Sequence, residues 1–179
     1  GIKQLSLTVN PVTNLVELIR VNMGNAIFSA GDTAHFQTTL PEMVNYPVEI
    51  DGKVVEITFV SMGNPHAVIF MEDIDSLEIE KMGPKIEHHP LFPERTNTEF
   101  IEITDRAHLR MRVWERGSGE TLACGSGACA SVVAGALTGR TEPRANVQLR
   151  GGILEVEWDR DLNRVYLTGD AHFVFKGEV

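Results

Sequence analysis

The chain has 179 residues, with 16 Lys and Arg against 25 Asp and Glu for a net charge of −9, and 42% hydrophobic residues. The basic residues are dispersed, which argues against a nucleic-acid partner, and no apolar run of about 18 residues occurs, so no membrane span is expected. The length suffices for one large or two small domains with a real core, and Gly1 to Gln4 lacks a signal-peptide plan, so a cytoplasmic location is expected.

Leu5 to Val9 alternates in strand fashion, Asn10 to Asn14 reads as a turn, and Leu15 to Val21 resumes the alternation, which predicts a β-hairpin. The pattern weakens from Met23 to Pro41, read as a loop or linker with a short strand. Tyr46 to Ile50 and Val54 to Val60 flank Asp51-Gly52, a pair suited to the primed two-residue hairpin turn. Ser61 to Pro65 breaks that strand and His66 to Met71 restarts it. Asn64 in this break is a turn device or a ligand contact, and His66 a satisfied strand histidine or a site residue.

Ile74 to Gly83 has helical spacing, a cap at Asp75 or Ser76 and a terminal glycine, predicting a short surface helix. His88-His89-Pro90 has no obvious third metal ligand and reads as loop. Phe92 to Asn97 is loop and Phe100 to Ile103 strand, followed by the strand-like His108 to Trp114. A Gly-rich crossing then leads to Cys124, Gly125, Ser126 and Gly127, and to a small-residue helix through Leu137 that is apolar nearly all round and so buried. Gly139 closes it. Asn146 to Leu149, Ile153 to Trp158, Arg164 to Thr168 and His172 to Phe175 read as further strands. About ten strands with two helices make an α+β pattern.

Cys124 stands at or beside a helix N-terminus, where unpaired N–H groups and the dipole favour an anion and lower a thiol's pKa. It is a candidate nucleophile or base, although free cysteines are more often buried as small hydrophobes. Gly125 and Gly127 let amides approach a ligand, Ser126 can cap the helix or touch a ligand, and Glu115 and Arg116 add an acid and a planar cation suited to a carboxylate. Cys124 and Cys129 are the only cysteines. Their spacing on one helix disfavours a disulfide, and no His/Cys ligand spacing points to zinc.

The run Glu115 to Gly127 resembles the second cysteine motif of diaminopimelate epimerases, Glu-Arg-Gly-x-Gly-x-Thr-x-Ala-Cys-Gly-Ser/Thr-Gly. Gly63-Asn64-Pro65-His66 and Glu94 to Phe100 match two further family segments in the same order. The resemblance implies a curled, mostly antiparallel or mixed sheet wrapped around a central buried helix, with residues 1–24 as strands of an incomplete N-terminal lobe, 25–169 as the C-terminal lobe and 170–179 as a return strand. It implies Cys124 as a catalytic residue, His66 and Glu115 as supporting groups, and Asn64, Asn97, Glu115, Arg116, Gly125 and Ser126 as substrate contacts. Further implications are interconversion of LL- and meso-diaminopimelate in lysine and peptidoglycan precursor synthesis, no cofactor and no metal, and a homodimer when intact.

Inversion needs an acid on one face and a base on the other. The family's second cysteine lies in a Cys-Gly-Asn-Gly motif, which does not occur here, and Cys129 sits inside the same helix as Cys124. The chain is therefore expected to be inactive without an N-terminal lobe and to self-associate through exposed apolar surface. Three other readings stand beside this one: a related proline or hydroxyproline racemase, a cysteine hydrolase or acyltransferase pairing Cys124 with His66 but lacking an orienting third group, and a non-catalytic binding domain of the same fold.

Overall fold

The computed structural model describes residues 2–28, 42–172, 175, 177 and 178. Alternating sequence becomes strand where the turns permit it. β1 (Leu5–Val9) and β2 (Val16–Gly24) form the first hairpin, its turn held by Asn10 Oδ1, which accepts from the Val12 and Thr13 amides. β3 (Tyr46–Ile50) and β4 (Lys53–Ser61) form the second. Asp51 and Gly52 both take positive φ, 53° and 74°, as a primed turn requires.

β5 (Pro65–Phe70), α1 (Ile79–Glu87) and β6 (Asn97–Asp105) follow, then β7 (His108–Glu115), β8 (Gly119–Thr121), α2 (Gly125–Leu137), β9 (Arg144–Leu149), β10 (Gly152–Asp159) and β11 (Arg164–Asp170). The eleven strands form one mixed sheet in the order β1-β2-β11-β10-β9-β7-β6-β5-β4-β3, with β8 beside β7. Among the described residues only β5/β6 and β7/β9 pair in parallel. These two parallel pairs are the ones whose connections contain α1 and α2, because a parallel pair needs a crossover rather than a tight turn. The fold is therefore sheet-dominated α+β, with two helices among the described residues.

Successive side chains along a strand face opposite sides, and β4 to β6 bury both. Val60, Val68 and Ile101 join the core around α2, whereas Phe59, Ala67, Ile69 and Phe100 join the core that includes Ile79 and Ile86 of α1. This two-sided burial explains why β5 reads as a continuous apolar run. α2 is buried from Gly127 through Ala136 and touches β4, β5, β6, β9, β10 and β11. It ends at Gly139, φ 72°, with the Arg140 amide donating to the Gly135 carbonyl at 2.8 Å and the Gly139 amide to Ala136 at 3.4 Å, a Schellman closure.

The helix expected over Ile74 to Gly83 lies instead at Ile79–Glu87. Four competing bonds, two to Asp73 and two from Arg112, hold the preceding segment in turns. Asp73 Oδ1 accepts from the Asp75 and Ser76 amides, and the Arg112 guanidinium donates to the Ile74 and Leu77 carbonyls. Gly83 is inside the helix, not at its end. A Cβ there would lie 2.4 Å from the Trp114 ring, so the glycine serves close packing of α1 on β7. β8 also interrupts the crossing expected as loop, and β6 begins at Asn97. Of the final strand expected over His172 to Phe175, Phe173 and Val174 fall outside the described residues and His172 is not in a strand; most of the Met23 to Pro41 linker is likewise outside.

A Gly83→Ala substitution should cost about 1–3 kcal/mol, the usual penalty of overpacking. Urea denaturation of the two chains measures it, and an unshifted midpoint would show that Trp114 can move aside freely.

Candidate active site

Cys124 is the N-cap of α2. Its backbone is extended, φ −137° and ψ 104°, and its carbonyl accepts the first helical bond from the Ala128 amide at 2.9 Å. The residue is buried, 7% exposed. β5 and β6 run in parallel beneath it and bring His66 and Glu99 together, both fully buried, with His66 Nδ1 2.7 Å from Glu99 Oε1. His66 Nε2 lies 3.1 Å from Asn64 Oδ1, Asn64 Nδ2 donates to Ser126 Oγ at 3.3 Å, and Ser126 Oγ is 3.6 Å from Cys124 Sγ. Carboxyl, imidazole, amide, hydroxyl and thiol thus follow one another in a chain that turns back on itself, the carboxyl and the thiol lying side by side.

The two glycines after Cys124 have filled surroundings. A Cβ on Gly127 would lie 2.6 Å from Glu99 Oε1 and 3.2 Å from Cys124 Sγ; one on Gly125 would meet Leu167 at 3.1 Å. Gly127 is therefore what admits a carboxyl and a thiol together against the helix. The Ser126 hydroxyl is engaged by Asn64 and the sulfur.

Burial pushes the Cys124 thiol up to about 12, and the nearby Glu99 carboxyl adds to the rise; the Ser126 hydroxyl and the Gly127 amide act the other way, and Glu115 raises it further. This reverses the lowering expected from the helix N-terminus alone. Burial likewise raises the Glu99 carboxyl above the usual carboxylate range, against the attraction of His66. Glu99 Oε2 is buried without a hydrogen-bond partner. Cys129, fully enclosed in α2, is also pushed to about 12 by burial.

The ligating atoms of His66, Glu99 and Cys124 lie within 4.8 Å of one another, a set able in principle to hold a metal ion. Each imidazole nitrogen is already hydrogen-bonded, to Glu99 and to Asn64, so neither is directed at the sulfur as an acyl-transfer base would be. Glu99 is the orienting group missing from the sequence reading. Its signal was a carboxylate within a buried strand, which must find a partner.

Glu115, half-buried at the end of β7, accepts from Thr121 Oγ1. Arg116 is exposed; its amide donates to Asn97 Oδ1 at 3.0 Å and its guanidinium to the Glu94 carbonyl at 3.0 Å. Asn97 is buried, and its Nδ2 donates to the Pro65 carbonyl at 3.2 Å. The site residues thus divide into a group around the sulfur (Asn64, His66, Gly125, Ser126) and a group about the β7 end (Asn97, Glu115, Arg116).

Residues 58–174 match the family model described as diaminopimelate epimerase. A protein named diaminopimelate epimerase from Acetivibrio thermocellus is 51% identical, covering 100% of this chain and 63% of that protein. Diaminopimelate epimerase 1 of a Nostoc species is 52% identical, covering 90% of this chain and 58% of the relative. The chain thus spans 63% and 58% of the lengths of these two relatives. Among solved structures, a hydroxyproline epimerase from Agrobacterium vitis superposes with TM-score 0.64 at 13% identity, over 95% of this chain and 54% of that one. A probable proline racemase from Agrobacterium radiobacter gives 0.62 at 12% identity, over 95% and 55%. These two likenesses show the fold.

The raised thiol values have a stability consequence. Below about pH 9 the thiols are protonated folded or unfolded; between about 9 and 12 the unfolded chain releases protons that the folded chain retains. Folding stability should therefore fall as pH rises through this window, by about 1.4 kcal/mol per pH unit for each thiol fully in that regime. Urea unfolding at stepped pH values checks this, and Cys124→Ser should make the fall shallower.

Proposed function

The chain belongs to the diaminopimelate epimerase family, and on that premise we propose that it supplies one of the two acid/base groups of a cofactor-independent epimerase acting on LL- and meso-diaminopimelate. Cys124 carries this reading: a buried thiol at the N-terminus of α2, inside the family's cysteine run, with its proton retained by its surroundings. In one direction a thiolate from outside these 179 residues removes the α-hydrogen while Cys124 donates from the opposite face. In the other direction the roles exchange.

The first-turn amides at Gly125 and Ser126 have no intrahelical carbonyl to reach, so they are suited to the substrate's α-carboxylate and the charge developing at the α-carbon. His66 and Glu115 support the sulfur's protonation, and Asn64 and Ser126 serve the near end of the substrate. Arg116, with an exposed guanidinium, takes the far amino-acid end, and Asn97 holds the Arg116 backbone in place.

The proposal extends to the lobes. Contacts of α2 with both β4 and β10, far apart in the strand order, support a sheet curling around it. Leu5, Leu7 and Val9 of β1 are 56%, 54% and 42% exposed, which supports assigning residues 1–24 and 170–179 to a second lobe that carries the opposing cysteine. A homodimer of the intact protein and a cytoplasmic location belong to the same reading. The likeness to hydroxyproline epimerase keeps a cyclic amino acid as the second candidate substrate. The Glu115–Arg116 turn favours diaminopimelate, whose distant charged end needs partners beyond the reacting carbon.

The test is a chimera in which this chain replaces its matched segment of the Acetivibrio thermocellus protein. It should exchange the α-hydrogen of diaminopimelate with deuterated water and invert that centre, and Cys124→Ala should reduce the rate by about 10²–10⁴-fold. A folded chimera active on proline and not on diaminopimelate would move the assignment to the second candidate. One active on neither would remove the epimerase reading.

A further inference from the structure

Glu87, the last residue of α1, is 3% exposed, yet its carboxylate spends both oxygens. Oε2 accepts from the Trp114 indole N–H at 2.7 Å; Oε1 accepts from the Gly117 amide at 3.0 Å and faces Arg95 NH1 at 3.4 Å. Burial opposes ionisation, but the Trp114 and Gly117 bonds, with His88 and Arg95 nearby, hold this carboxyl below the usual carboxylate range. The three donors come from different segments: the end of β7, the Glu115–Gly117 turn and the loop before β6. That loop carries Arg95 in the left-handed region at φ 62°, a conformation that persists only where surrounding bonds over-determine it.

Trp114 is pinned as well. Its ring fits against Gly83 of α1, where no Cβ could be accommodated, and a Cβ on Gly119 would touch it at 3.5 Å. One residue on, the chain enters Glu115 and Arg116, whose amide is tied to Asn97. We propose that Glu87 is a positioning residue for the substrate's far end: one carboxylate sets the Arg116 turn against the Arg95–Asn97 loop, with Trp114 as its lever. The inference rests on the reading of Arg116 and Asn97 as the far-end residues.

Glutamine matches the shape but not the bonding. Its single carbonyl can serve either the indole or the Gly117 amide, and its NH₂ then faces the other N–H. In Glu87→Gln, amide hydrogen exchange at Gly117 should accelerate at least about tenfold, in line with loss of a charge-assisted bond, while Ala128 in α2 stays protected as a control for folding. The Trp114 indole proton resonance should move upfield. Unchanged Gly117 exchange in a folded variant would overturn the proposal. Should Glu87→Gln fail to fold, Trp114→Phe, which removes one anchor and leaves the charge, is expected to speed Gly117 exchange, and no change there would overturn it equally. In the chimera, Glu87→Gln should raise KM for diaminopimelate more than it lowers kcat; a fall in kcat at constant KM would contradict a positioning role. An inactive parent chimera would count against the epimerase reading, while Gly117 exchange in the chain itself would still decide the role of Glu87.

Discussion

A carboxyl and an imidazole, both sealed from water and 2.7 Å apart beside a nearly buried thiol, set the character of this site. A helix N-terminus stabilises an anion by typically about 0.3–1 kcal/mol and seldom more than about 2. Removing an ionisable group from water can shift its pKa by up to about 3–5 units, at about 1.4 kcal/mol per unit. At Cys124 burial is the larger influence, and the Glu99 carboxyl strengthens it. The sulfur therefore holds a proton at neutral pH, the Ser126 hydroxyl and the Gly127 amide favouring the thiolate without offsetting burial.

The fold serves that arrangement through close approach. α2 is built from small residues and packs on β4, β5, β6, β9, β10 and β11, so Cys124 is delivered at a fixed depth. Gly127 leaves the space that Glu99 and the thiol occupy, and Gly83 does the same for Trp114 on the other side of the sheet. Parallel pairing of β5 with β6 sets His66 beside Asn97 and brings Glu99 within reach of the imidazole. The two crossover helices thus have separate tasks: α2 presents the thiol, while α1 braces the turn that carries Arg116.

Much of the architecture could be read from local pattern. Asp51-Gly52 announces its hairpin because few residues accept two successive positive φ values, and the small-residue run after Cys124, apolar nearly all round, points to the buried helix that is found. The start of α1 could not be read, because bonds from Asp73 and from Arg112, distant in sequence, outcompete helical spacing there. The family motifs point separately to Cys124 as catalytic, to His66 and Glu115 as supporting groups and to Asn64, Asn97, Glu115, Arg116, Gly125 and Ser126 as substrate contacts; of these the fold places His66, Asn64 and Ser126 in hydrogen-bonded sequence beside the Cys124 sulfur. Glu87 is not legible because a glutamate at the end of an amphipathic helix looks solvated until the tertiary structure buries it, and Glu99 gives only the weaker signal of a carboxylate in a strand that the fold buries on both faces. The reversal at Cys124 has the same origin: a helix terminus is visible in sequence, whereas the burial of the thiol, and after it the carboxyl packed alongside, are not.

The most direct test of this account is the titration of Cys124 itself, followed by the ¹³Cβ resonance of cysteine-labelled chain, with Cys129→Ala used to assign the signal. The account predicts no thiol-to-thiolate shift from pH 6 up to about 9, with ionisation only well above the ordinary cysteine range. A midpoint below about pH 8 would contradict it and show that the helix N-terminus outweighs burial and Glu99 in setting the proton on this sulfur.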